Sequence, residues 1–522
     1  MNITLETINM QSTSRTQNAK RNILWGLINK LFSIILPFLT RTFLIQTIGS
    51  EYLGIDSLFT SILQILNLSE MGFSSAIVFS MYEPMAYNKV DEVCALLHYF
   101  RRIYWVIGSF ILIIGLALIP FLGFFIKGST PSDINIVYVY IVFLLNTVIS
   151  YILYGYKNSV LNASQRVDII SNCASATKGL LAVAQGVALY LTYNYYYFII
   201  LMPLFTILNN ILICYYSKRL YPQYICKGNV TKEIIKSIKK RVAGLFTTKF
   251  CTGMRNSVET LSVSSFIGLT ATAVYSNYYM TVAALTSICS VFASSILAGV
   301  GNCVVTESTD TNYKKMRVFD FTYLWICGIA CTCFAALLQP FMRIWVGDEL
   351  MYTNATAMLF PLYFYSLRIG DIKGVYQDAS GLWWENRYRA IFEIVLVILL
   401  NLLLIRIIGA AGVVLATVSS LLLVNIGFGT HILFKYYFKN GKLMEYYYDH
   451  LKYLLATILS VGVVLVFDFL YGEDSWSWLI IKVFLSLIIP NLIYVLFLFR
   501  HPCFRDALKL SMNVVGLKGK KV

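Results

Sequence analysis

The chain predicts an all-α, polytopic membrane bundle of about fourteen transmembrane helices, and three observations lead there. Of its 522 residues 58% are hydrophobic and only 13% charged, with a mean hydropathy of +0.68, whereas about a quarter of a soluble domain's residues are charged. Apolar runs recur along the whole sequence at lengths of about 20 residues or more, enough at 1.5 Å per residue to cross roughly 30 Å of hydrocarbon. Lysine and arginine gather in alternate links between those runs, as cytoplasmic loops do.

The expected spans have cores at 23–47, 53–80, 98–125, 134–156, 169–191, 196–217, 243–268, 272–301, 319–345, 353–376, 390–408, 411–434, 453–470 and 477–499. Each must be helical, because unpaired backbone amides and carbonyls cannot face lipid. Residues 1–21 are polar and slightly basic, and the first apolar run lacks a small-residue cleavage site; it is expected to stay as the first span.

Orientation follows from charge. Arg15, Lys20 and Arg21, then Lys89, Arg101 and Arg102, then Lys314, Lys315 and Arg317 all fall on one side. The other side and its edges hold only Lys127, Arg343 and Arg406. Both termini are therefore expected in the cytoplasm. The net charge of +16 fits loops facing anionic membrane lipids better than nucleic acid, which would require a basic folded surface with readable motifs.

The most basic link follows the sixth span. The expected organisation is a cytoplasmic N-terminal tail (1–21), an N-lobe of six helices (22–217), a basic cytoplasmic linker (218–241), a C-lobe of six helices (242–434), a terminal helix pair (435–499) and a basic cytoplasmic tail (500–522). The ends of the fourth and tenth spans, from Tyr156-Lys157-Asn158 to Arg166 and from Tyr376-Gln377-Asp378 to Arg387, share a tyrosine start, two polar residues and a basic end. That fits two pseudo-symmetric parallel repeats. No outer link has room for an external domain.

Enzyme signatures are absent: there is no GxxxxGK[ST] loop, HExxH helix or GxSxG elbow. The eleven cysteines form no CxxC pair and read as small buried side chains, with no metal or cofactor implied. His98, His431, His450 and His501 lie near expected membrane edges, where solvated histidines are expected.

Charge inside the spans carries the functional signal. Lys30, Arg41, Glu70, Lys178, Lys249, Arg255, Glu259, Arg368, Asp371 and Lys373 all interrupt apolar runs, seven basic against three acidic. A charge at the bilayer centre costs about 2.5–3.5 kcal/mol on the insertion scale, so such residues face a wet cavity or a partner. In the seventh span Thr248, Thr252, Arg255, Glu259 and Ser262 form one polar stripe. In the second, Asp56, Thr60, Gln64, Asn67, Glu70 and Ser74 keep the same rhythm. Arg255–Glu259 and Arg368–Asp371 also read as plain intrahelical ion pairs, and Lys30 and Lys249 as side chains snorkelling to the interface. If the stripes face inward they line a cationic cavity that selects anions, and the arginine fork suits phosphate. Arg41, Lys249, Arg255 and Arg368 are the candidate substrate-binding cations. Glu70, Glu259 and Asp371 are candidates for pairing or for coupling to a proton or sodium gradient.

These residues sit in familiar company. Pro37-Phe38-Leu39-Thr40-Arg41-Thr42-Phe43-Leu44-Ile45-Gln46-Thr47-Ile48-Gly49-Ser50-Glu51-Tyr52-Leu53-Gly54 resembles the opening of polysaccharide-biosynthesis flippases, as does Leu68-Ser69-Glu70-Met71-Gly72-Phe73. Gln339-Pro340-Phe341-Met342-Arg343-Ile344-Trp345-Val346-Gly347 is similar to that family's ninth-helix ending, and Gly381 through Ile408-Gly409-Ala410-Ala411-Gly412-Val413 to its later half. The resemblance runs from about residue 20 to 435. It implies the multidrug/oligosaccharidyl-lipid/polysaccharide exporter superfamily, with two six-helix lobes, two extra helices and a cationic lumen. It further implies flipping of undecaprenyl-diphosphate-linked oligosaccharide repeat units across the bacterial cytoplasmic membrane, for O-antigen, capsule or exopolysaccharide synthesis. Other polysaccharide-assembly membrane proteins would be partners. Two alternatives are a multidrug exporter of the same superfamily, which calls for an acidic lumen, and a polysaccharide polymerase, which calls for a large external loop.

Overall fold

A computed structural model describes residues 30, 32–67, 73–128, 130–164, 166–439, 441–471 and 476–514. Among them every regular element is helical, and the chain is an all-α, multi-pass membrane bundle. In order the helices are α1 (Phe32–Ile48), α2 (Ser50–Asn67), α3 (Phe73–Ala86), α4 (Val90–Leu118), α5 (Ile136–Ile152), α6 (Asn158–Ala163), α7 (Val167–Thr192), α8 (Tyr195–Leu220), α9 (Lys232–Phe266) and α10 (Leu269–Thr306). They continue with α11 (Thr309–Val346), α12 (Asn354–Ala357), α13 (Leu359–Arg368), α14 (Asp371–Ala379), α15 (Trp383–Ile408), α16 (Ala410–Ser420), α17 (Gly429–Leu433), α18 (Leu443–Tyr471), α19 (Trp476–Leu498) and α20 (Phe504–Val514).

Nine helices among the described residues are long and apolar enough to cross a membrane, and ten if α5 and α6, bent by 46°, count as one span. Three expected spans take other forms. Residues 68–72, between α2 and α3, lie outside the described residues. The seventh is α9, a 35-residue helix that begins in the basic link. The tenth is broken at Ile369–Gly370, between α13 and α14.

Helix ends that hydropathy leaves vague are set by local chemistry. The Asn135 carboxamide accepts from Val137 N (3.0 Å) and Tyr138 N (3.3 Å) at the start of α5. Tyr193 closes α7 in the left-handed conformation (φ 51°), and Asn194 then caps α8 by accepting from Tyr196 N (2.8 Å). These bonds satisfy amides that have no partner within the helix.

The chain divides into two compact units, residues 1–273 and 274–522. In the first, α2 packs on α9, α4 on α5, and α5 and α7 on α8. Polar bonds join helices inside it: Thr206 donates to Asn146 (2.7 Å), and Gln185 to the Phe198 carbonyl (3.1 Å). The last carbonyls of α9 are also met, since Lys127 donates to Phe266 O (2.5 Å). Ile113 and Val183 are exposed, the inversion expected where the surroundings are hydrocarbon.

In the second unit α11 is the most buried span and packs against α13, α14, α18, α19 and α20. The Tyr494 hydroxyl donates to the carbonyls of Leu324 and Tyr453 (3.2 Å each) and meets Thr457 (2.8 Å), tying the terminal pair α18–α19 to α11. Arg317 reaches from α11 to Glu445 (2.5 Å) and Asp449 (2.9 Å) on α18. Two histidines expected to be solvated, His450 and His501, are buried instead. His501 stacks on Phe321 of α11 (5.3 Å) beside Phe504 of α20, so the chain after α19 folds back over its own helix ends.

Gly54 shows how tightly the first unit closes. A Cβ added there would lie 2.2 Å from the Leu269 carbonyl oxygen, a backbone atom with no freedom to yield. Gly54→Val should therefore destabilise the protein by about 1–3 kcal/mol, the range for overpacking. The check is thermal unfolding in detergent; an unchanged midpoint would contradict this packing.

Candidate functional site

A cavity of about 310 Å³ opens inside the first unit, lined by α1, α2, α7 and α8. Its polar lining is Ser33, Thr40 and Arg41 from α1, Asp56 from α2, and Lys178 and Gln185 from α7. The rest, including Leu36, Pro37, Leu44 and Phe198, is apolar. Pro37 sits within α1, and having no N–H it leaves the Ser33 carbonyl without its usual helical donor at the cavity wall. Thr40, one turn on, bonds back to the Leu36 carbonyl (2.7 Å). Arg41 and Asp56 are partly buried and interact electrostatically, while Lys178 is the more exposed cation. Two positive groups and one negative group thus share a hollow among apolar helices.

The second unit holds a denser polar network. Arg368, at the end of α13, donates to Asp371 at the start of α14 (2.7 Å), and Tyr323 of α11 also donates to Asp371. Lys373, on α14 and 1% exposed, donates to the Asn425 carboxamide (2.7 Å) and to the Asn425 carbonyl. Asn425 lies in a π-helical stretch, Leu421–Phe428, where the wider turn disturbs the regular carbonyl pairing. Below it Arg389 and Glu393, one turn apart on α15, pair at 2.5 Å, and Arg389 also donates to Asn386 (2.7 Å). Gln377 links the two layers, donating to the Gly429 carbonyl (2.8 Å) and accepting from Asn386 (3.2 Å). A Cβ on Gly429 would lie 2.7 Å from Lys373 Nζ and 2.9 Å from Arg389 Cδ, so both side chains would have to shift.

Of the candidate residues read from sequence, Arg41 lines the cavity in the first unit. Arg255 and Glu259 are both buried on α9, each engaged by neighbours, and neither lines that cavity. Arg368 and Asp371 form an ion pair across the break in the tenth span. Lys249 falls on α9, but its side chain is outside the described residues, as is the whole of Glu70. Asp56 was visible only as one member of a polar stripe, and Lys178 only as an isolated intramembrane charge. Glu393 gave a weaker signal, as the acid one helical turn after Arg389 at an expected membrane edge. Beyond the spans, Lys315 donates to Glu307 (2.6 Å) and holds that half-buried carboxyl below the usual carboxylate range.

No family model and no curated protein sequence matches this chain. Solved structures do. The lipid II flippase MurJ in an inward-closed conformation aligns over 93% of this chain and 100% of its own, with a TM-score of 0.70 and 16% identity. The chain shares its fold with that flippase and with MATE transporters. An inward-facing multidrug resistance MATE family transporter of the MOP superfamily covers 79% of this chain and 99% of its own, with a TM-score of 0.55 at 13% identity. The Vibrio cholerae MATE transporter VcmN covers 83% and 100%, again with 0.55 and 13%. The first is a flippase and the other two are transporters.

The Arg389–Glu393 pair offers a test of the network. Removing one partner of a buried pair strands the other charge and costs about 3–5 kcal/mol, while replacing both with apolar groups is often near neutral. Arg389→Met should therefore lower the unfolding midpoint sharply, and adding Glu393→Leu should restore most of it. Equal losses in the single and double variants would mean that the pair is not dry.

Proposed function

We propose that this chain flips an anionic, lipid-linked sugar precursor across a bacterial cytoplasmic membrane. In this reading the cargo is an undecaprenyl-diphosphate-linked repeat unit for O-antigen, capsule or exopolysaccharide. The observation that carries it is the cavity holding Arg41 and Lys178 among apolar helices, in a chain whose fold aligns with a lipid flippase along nearly its whole length.

A diphosphate entering hydrocarbon loses the water that solvated its charge, and each charge moved to the bilayer centre costs several kcal/mol. Arg41 offers a planar fork of donors that can replace part of that water, and Lys178 adds a mobile positive charge. Asp56 competes with the cargo for Arg41, so the arginine can be held when the cavity is empty and released to phosphate when it fills. Glycan and diphosphate would occupy the hydrated cavity while the polyprenyl tail stays in lipid. Rocking of two six-helix lobes, residues 22–217 and 242–434, would expose the cavity to each side in turn. Coupling to an ion gradient would supply the direction.

Asp56 favours one second reading, export of organic cations, because a carboxylate in the cavity suits positive cargo. Complementation of a flippase-deleted bacterium, scored for surface polysaccharide, separates the two. The wild-type gene should restore polysaccharide and leave drug susceptibility unchanged. Arg41→Ala should lower rescue by about tenfold to a hundredfold, the effect of losing one or two charge-assisted hydrogen bonds. Full rescue by Arg41→Ala would remove this residue from the mechanism, and drug resistance without polysaccharide would favour the exporter.

A further inference from the structure

The second unit contains a buried acid that the proposed transport cycle does not use. Asp320 of α11 is 2% exposed, and neither carboxyl oxygen has a hydrogen-bond partner among the described residues. Facing it from α18 is His450, 4% exposed, with Nε2 lying 3.8 Å from Asp320 Oδ1 and making no hydrogen bond of normal geometry, although the Ile369 carbonyl is also close to the ring. The other ring nitrogen fixes the tautomer. His450 Nδ1 is 3.0 Å from the Tyr446 carbonyl, which can only accept, so Nδ1 carries a hydrogen and the neutral ring turns a lone pair toward Asp320. The hydroxyls of Tyr446 and Tyr376 are also buried without partners, and both rings lie within electrostatic reach of Asp320.

Two acceptors thus face each other across a short gap with no donor between them. Native interiors rarely leave such groups unmet, and an orphaned cluster points to a bound species. A single hydrogen would satisfy both once the two atoms close to hydrogen-bond distance. We propose that Asp320 and His450 form a proton-binding site at the junction of α11, α14 and α18. Uptake takes one proton from water, and the loaded pair is neutral overall, a carboxylic acid on Asp320 beside a neutral imidazole. Release returns that proton to water and leaves one negative charge on the pair.

The surroundings tie that charge to the break in the tenth span. Lys373 and Tyr376 of α14 face the pair, with Asp449 and Tyr453 of α18 and Cys503 from the turn before α20. Lys373 is the one cation among these facing groups, and its ammonium holds Asn425 across from α14. Deprotonation gives Lys373 a carboxylate to answer, and protonation removes it. Proton occupancy therefore biases how α14 sits against α11 and α18, in the manner of a two-state element biased by local charge.

The test reads protonation directly, on full-length protein in phosphatidylcholine nanodiscs, by infrared difference spectroscopy between pH steps. Wild type should show a protonated-carboxyl band that disappears as pH rises, and Asp320→Asn should lack it. His450→Gln, which keeps a buried polar side chain, should move the pH of disappearance by about one unit or more. His501→Gln, whose ring bonds Asp449 (3.0 Å), should leave the Asp320 band in place. A band that persists in Asp320→Asn, or a midpoint unmoved in His450→Gln, overturns the proposal. So does an Asp320 carboxylate that stays ionised throughout and responds only to sodium. Because the readout is protonation, its failure leaves the flippase reading standing, and failed complementation leaves this site standing.

Discussion

In hydrocarbon a charged side chain can be solvated only by other parts of the same chain or by water trapped among them, and several charged groups of this molecule follow that rule. The last carbonyls of α9 are met by Lys127. Lys373 is met by Asn425, Arg368 by Asp371, and Arg389 by Glu393. Around Arg41, Asp56 and Lys178 the helices leave a hollow that these side chains line. The apolar exterior then follows without further design, since side chains such as Ile113 and Leu403 lose nothing by facing lipid.

The two units meet this constraint in different ways. In the first, charges from α1, α2 and α7 gather around open volume, an arrangement suited to exchanging one partner for another. In the second they are consumed in short bonds packed around α11 and the broken α13–α14 span. Helix irregularities accompany both. Pro37 frees a carbonyl beside the cavity, the π-helical turn presents Asn425 to Lys373, and the Ile369–Gly370 break places Arg368 and Asp371 on successive helices within bonding distance. Irregular backbone is tolerated at membrane depth where it is buried in protein or lines water, and here it coincides with the charged residues.

Several intramembrane charges were legible as exceptional from the sequence, but their roles were not. Arg368 and Asp371, three residues apart, could have faced a lumen or each other, and spacing alone does not decide between the two. His450 and His501 looked like edge residues because hydropathy places them at span ends; the fold-back before α20 buries His501 against Phe321, and the packing of α18 on α11 buries His450. Asp320 falls at the very start of an expected span, where an acid is unexceptional. Its isolation comes from α18, 130 residues later in the chain by the numbering.

Membrane residence, helical structure and the side of the bilayer on which basic links should lie are sums over neighbouring residues, so the sequence by itself determined the class of this protein. Which charge meets which partner depends on contacts between positions far apart, such as Lys373 with Asn425 and Tyr323 with Asp371. An ion's energy in a low-dielectric interior changes steeply over a few ångströms, a distance that helix packing sets and residue spacing does not. The tertiary structure alone therefore decided that Arg41 borders open space while Arg368 does not stand apart from its acid.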